Sequence, residues 1–119
     1  MLCWPLVSGV LNAVGVASSA RSPTYTLIEP YETPQRHIFH LDLYRLMDPS
    51  EVEPLGLRDL LTPDAALLIE WPERGAQRVP PADLVIAIAY AKHGDGRDVT
   101  LSAHGAAGER LLAQLPDVQ

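Results

Sequence analysis

The sequence predicts an α/β domain, a mixed sheet flanked by helices. Three observations carry that prediction. Two aliphatic runs of strand length, residues 37–44 and 65–69, end near acids, Asp42 and Glu70. Between them Asp48, Pro49, Ser50 and Glu51 form a helix-start signal. A later alternating stretch, residues 83–90, is followed across a glycine-rich turn by a second strand-like stretch, residues 99–103.

The elements follow in order. Leu6, Val7, Val10, Leu11 and Val14 keep helical spacing, so residues 5–14 read as a short amphipathic helix closed by Gly15. Residues 17–23 read as a small-residue loop. Residues 24–29 are β-rich and are expected to stop at Pro30. In residues 37–44, Phe39, Leu41 and Leu43 alternate with His40, Asp42 and Tyr44, so one face packs and the other presents polar groups.

Asp48 can cap a helix that Pro49 opens, with Val52, Leu55, Leu60 and Leu61 as its apolar face; Pro54 and Gly56 break it in two. Residues 62–64 read as a turn. The unbroken apolar run at 65–69 suits a strand buried on both faces. Residues 75–81 read as a loop, and Leu84, Ile86 and Ile88 mark one face of the next strand. Residues 93–96 turn into the last strand. Residues 106–115 read as a final helix with Leu111, Leu112 and Leu115 as its packing side. With no repeat and no linker, the 119 residues read as a single domain.

Composition narrows the function. A hydrophobic fraction of 47% and a charged fraction of 20% are those of a globular chain. The net charge is −6, and no basic cluster exists, which argues against a chain that grips nucleic acid by itself. A single cysteine, Cys3, excludes an internal disulfide and fits a reducing, cytoplasmic compartment. The apolar residues 6–20 lack the basic flank of a signal peptide, and no run reaches the ~20 residues of a membrane span.

The candidate chemistry lies in the acids. Ligands of open α/β sheets sit beyond the carboxyl ends of strands. Glu70 at such an end can hold Mg²⁺ or orient a water; a solvated strand-end glutamate is the other reading. Asp42 lies among leucines, where an unpaired carboxylate is costly. It is either an ion-pair member with nearby His40 or Arg45, or the second half of a metal site with Glu70. Trp71 can stack on a base or close the sheet rim. Thr24 and Thr26 can offer hydroxyls to a phosphate or simply lead into a strand. The scattered histidines show no zinc spacing.

Four segments in order, SPTYTLIEPYE (22–32), HLDLYRL (40–46), DPSEVEPLGL (48–57) and LIEWPERG (68–75), closely resemble the TsaE (YjeE) family. The likeness runs from about Leu6 to the end of the final helix. It implies a P-loop NTPase-like fold. It also implies the ATPase subunit of the system that makes tRNA threonylcarbamoyladenosine, working with TsaD and TsaB and meeting tRNA only through them. ATP and Mg²⁺ are the implied cofactors. Glu70 matches the family's magnesium-linked acid, and Asp42 the acid that supports metal or hydrolysis. Thr24 and Thr26 lie in a switch-like segment, Trp71 follows the acid, and Gly96 and Arg97 fall on a hairpin that approaches the nucleotide.

The sequence departs from the family at its start. The glycine-lysine phosphate loop is not among the 119 residues; Cys3 and Trp4 fall where its lysine and threonine align. The resemblance therefore predicts an N-terminally truncated form without the strand and loop that precede the first helix. Such a chain is expected to be marginally stable and inactive as an ATPase alone. Three functions follow as expectations: the ATPase-subunit role in full-length form, a non-catalytic interaction subunit, and an unrelated magnesium-dependent phosphohydrolase using Asp42 and Glu70.

Overall fold

The computed structural model describes residues 28–115, together with Val10 and Ala13, both helical. The rest of the expected helix at 5–14, the loop at 17–23 and most of the expected strand at 24–29 lie outside the described residues. The chain, read as one domain from its sequence, divides into two compact units, Met1–Pro80 and Pro81–Gln119.

In the first unit three strands form a mixed sheet in the order β1-β2-β3. Strand β1 (Ile28–Glu32) runs antiparallel to β2 (His37–Asp42), and β2 runs parallel to β3 (Ala65–Glu70). The strand expected to stop at Pro30 instead runs through it, pairing Pro30 with Phe39. Among the described strands β1 is an edge, and an antiparallel edge uses only alternate N–H groups, so proline is tolerated there.

Strand β2 ends two residues earlier than its alternation predicts. Asp42 causes this: its Oδ1 accepts the Tyr44 N–H at 3.1 Å and turns the chain. The Leu43 N–H still reaches the Glu70 carbonyl at 3.1 Å, so the strand end stays tied to β3. The expectation that β3 is buried on both faces holds only in part, since its residues before Glu70 are half-buried.

The helix-start reading at Asp48 is met by a 3₁₀ helix, Pro49–Leu55, with a complete capping box between Asp48 and Glu51. Gly56, at φ 61°, breaks it as expected and leads into the short α1 (Leu57–Leu60), whereas Pro54, also expected to break it, lies inside the 3₁₀ helix. Leu41, Leu43, Leu46, Val52 and Leu57 form the buried core of this unit, with Phe39, Leu67 and Ile69 packed on it. Leu61, expected on that face, is half exposed, and Leu57 takes its place. The expected loop at 75–81 begins as a 3₁₀ stretch, Pro72–Arg78, kinked at Ala76. Proline at its first turn presets φ, and a 3₁₀ turn leaves no 3.6-residue signal in the sequence.

In the second unit β4 (Leu84–Tyr90) and β5 (Arg97–Ala103) form the predicted antiparallel hairpin, which α2 (Ala106–Ala113) packs against. The packing side of α2 differs from its leucine pattern. Leu111 and Leu115 are about half exposed, while Gly108 is buried against the Asp83 carbonyl. Close approach of helix to backbone is made by a missing side chain, which a hydrophobic pattern cannot register. No helix among the described residues is long and apolar enough to cross a membrane.

Candidate functional site

The site grows from the register of one parallel strand pair. Asp42 and Glu70 are Cα partners at the carboxyl ends of β2 and β3. In-register residues on parallel strands share a sheet face, and His40, two residues before Asp42, lies on that face too. The opposite face carries Phe39, Leu41, Leu67 and Ile69 into the core. One strand pair thus serves both purposes: aliphatic side chains hold it down, and the alternate positions bring polar groups together.

All three polar residues are buried: His40 is 0% exposed, Asp42 4% and Glu70 5%. His40 Nε2 lies 2.8 Å from Glu70 Oε2. A carboxylate can only accept, so the ring nitrogen donates. The sequence offers His40 only as one of two possible ion-pair partners of Asp42; its contact with Glu70 is not legible there. Diagonal neighbours across a strand pair are within reach of long side chains, and Glu70 is the longer acid.

Each acid is held by one oxygen. Asp42 Oδ1 takes the Tyr44 N–H, and Glu70 Oε2 takes His40. The second oxygens, Asp42 Oδ2 and Glu70 Oε1, are buried without a hydrogen-bond partner among the described residues. Two such buried oxygens, on residues paired in register across adjacent strands, cost solvation. A hard cation removes that cost, and Mg²⁺ in phosphate-handling sites takes one or two carboxylates and leaves other positions to water and phosphate. No group of three or more metal-ligating side chains occurs among the described residues. Two carboxylates at neighbouring strand ends are oxygen donors of the type that an open Mg²⁺ site can use.

Trp71 follows Glu70 in a left-handed conformation, φ 58° and ψ 50°. Its ring packs on Tyr44, with centroids 5.0 Å apart, and the Arg74 guanidinium lies 5.0 Å from the Tyr44 ring centroid. Sequence reasoning singled out Trp71 but not its stacking partners. The pairing follows from the Asp42 turn, which brings Tyr44 off the strand.

Thr24 and Thr26 lie outside the described residues. Gly96 and Arg97 belong to the second unit. There Gly96 closes the hairpin by accepting the Ala91 N–H, and Arg97 lies over the Tyr90 ring at 4.2 Å. Arg97 Nη1 also donates to the Asp95 and Gly96 carbonyls, at 3.1 Å each.

The mixed sheet, with acids at the carboxyl ends of its parallel pair, is an α/β arrangement, and the fold is P-loop NTPase-like. The crystal structure of Bacillus subtilis YdiB has the same fold: TM-score 0.61 over 90% of this chain and 64% of that one, at 22% identity. Residues 5–99 match the family model for threonylcarbamoyl adenosine biosynthesis protein TsaE, and the chain belongs to that family. It is 40% identical over 108 residues to the tRNA threonylcarbamoyladenosine biosynthesis protein TsaE of Haemophilus influenzae, covering 91% of this chain and 67% of the relative. It is 32% identical over 107 residues to the Bacillus subtilis protein of the same description, covering 90% and 66%. The chain thus spans about two thirds of the length of these relatives.

Proposed function

We propose that this chain serves tRNA threonylcarbamoyladenosine synthesis as part of the subunit that, in a form also carrying the phosphate-binding loop, handles Mg²⁺–ATP and resets a TsaD–TsaB complex. The observation that carries the reading is the pair of buried, unanchored oxygens on Asp42 and Glu70, in a chain that belongs to the TsaE family. Asp42 and Glu70 would hold the Mg²⁺, which would supply positive charge to offset that developing on the phosphate during hydrolysis.

The chain's own residues prepare for that. Asp42 and Glu70 offer two oxygens from a rigid strand pair, so little motion is needed when the cation arrives. The Tyr44 N–H fixes one acid in orientation. Trp71 stands directly after Glu70, and its ring packs on that of Tyr44. With a net charge of −6 and no basic cluster, the chain leaves tRNA contact to its partners.

The test is a titration of Mg²⁺–ATP in a Trp4→Phe background, so that fluorescence reports Trp71, alongside a binding assay with TsaD and TsaB. In a form that carries the phosphate loop, saturable, magnesium-dependent quenching that Glu70→Gln weakens at least about tenfold, with partner binding intact, is the expected result, while this chain without the loop is expected to bind nucleotide weakly. In the loop-carrying form, equal nucleotide response in wild type and Glu70→Gln contradicts the reading. Partner binding without any Mg²⁺–ATP response points instead to a non-catalytic interaction subunit.

A further inference from the structure

We infer that His40 is the positioning residue of the cation site, holding one Glu70 oxygen so that the other keeps a fixed direction at the strand end that Asp42 also occupies. The inference rests on the acid pair being a cation site and adds a residue that the family motif reading did not assign to it.

The two acids have the same need and meet it differently. Asp42 has a short side chain, and a backbone N–H two residues on captures its Oδ1. Glu70 is one methylene longer and has one more torsion to fix. His40 supplies its anchor, Nε2 to Oε2 at 2.8 Å, from a fully buried ring on the neighbouring strand. The strand pair makes this possible: register sets His40 opposite Leu68, two residues short of Glu70, so the ring reaches forward along the sheet face. The oxygen left over, Glu70 Oε1, is the one without a hydrogen-bond partner among the described residues. An imidazole that takes one carboxylate oxygen leaves the other with a fixed direction. Partners of this kind typically contribute a factor of about 10–100 to metal affinity when removed.

Another explanation is that His40 merely satisfies a buried glutamate. The two explanations differ in what a replacement must retain. Glutamine places an amide nitrogen near the position of imidazole Nε2; asparagine stops short of it; leucine fills the space without a donor. Mn²⁺, titrated into the chain and followed by the EPR signal of the free aqua ion with Mg²⁺ as competitor, reads the site without any turnover. Circular dichroism and metal-free melting confirm that each variant is folded. The expected result is a loss of about tenfold in Mn²⁺ affinity for His40→Leu and His40→Asn, with His40→Gln close to wild type.

If His40→Leu is folded and binds Mn²⁺ as wild type does, while Asp42→Asn abolishes binding, His40 is not a positioning residue and the cation site stands. If wild type shows no saturable Mn²⁺ binding, both readings fall. Should His40→Leu fail to fold, the contrast between His40→Gln and His40→Asn decides: equal affinity for those two overturns the inference.

Discussion

Asp42 and Glu70 face each other across the parallel β2–β3 pair, and each keeps one buried oxygen without a hydrogen-bond partner among the described residues. That relationship sets a tension in the metal-free protein, because two buried carboxylates at neighbouring strand ends, each with such an oxygen, oppose folding. Neutralising one should relieve it. Asp42→Asn, which keeps an oxygen for the Tyr44 N–H, is expected to raise metal-free stability by about 1 kcal/mol while weakening cation binding. Urea unfolding with a chelator present, paired with a Mn²⁺ titration, measures both. A less stable variant with unchanged affinity runs against the account.

The other face of the same strand should behave in the opposite way. Leu41 is fully buried in the core. Leu41→Ala is expected to cost about 2–5 kcal/mol through lost burial and a residual cavity. Cation affinity, measured below the melting transition, should stay near wild type. Denaturant midpoints together with Mn²⁺ titration separate the two effects.

In the second unit, the contact of α2 with the hairpin depends on a hydrogen atom. A methyl at Gly108 would strike the Asp83 carbonyl, which is backbone and cannot rotate away. Gly108→Ala is therefore expected to destabilise this unit by about 1–3 kcal/mol despite its better helix propensity. Faster amide exchange of α2 and β4 is the readout; protection equal to wild type contradicts it.

Acid should loosen the 3₁₀ helix at its cap. The Ser50 N–H donated to Asp48 holds the Asp48 carboxyl below its ordinary value, first through the backbone bond and then through the Ser50 side chain. A carboxyl depressed on folding adds stability above its unfolded value and loses it as pH falls through the lower folded one. Asp48→Asn keeps an acceptor but cannot titrate, so its stability should fall less than that of wild type below about pH 4. Parallel acid titrations followed by circular dichroism check the difference in slope.

Much of this architecture can be read from residues alone, for identifiable reasons. The alternation of Phe39, Leu41 and Leu43 sets the faces of β2, and the Asp48–Glu51 capping box marks the 3₁₀ start. The breaking role of Gly56 and the β4–β5 hairpin are equally local signals. Pro30 misleads because its tolerance depends on lying at an edge, a property of the sheet and not of the segment. Leu111 misleads because α2 packs through Gly108. At the site, the two acids are visible in the sequence, but the His40–Glu70 bond spans thirty residues and needs the parallel register to be known. Tyr44 likewise meets Trp71 only because Asp42 ends its strand early.

The most direct test of the cation pair is the melting temperature with and without Mg²⁺, at matched ionic strength, for wild type and the Asp42→Asn/Glu70→Gln double variant. A ligand at about 100 times its Kd adds about 2.7 kcal/mol to the folded state. The account predicts a rise in wild-type melting temperature that grows with Mg²⁺ concentration and is absent in the double variant. An equal response in the two proteins, or none in either, contradicts it.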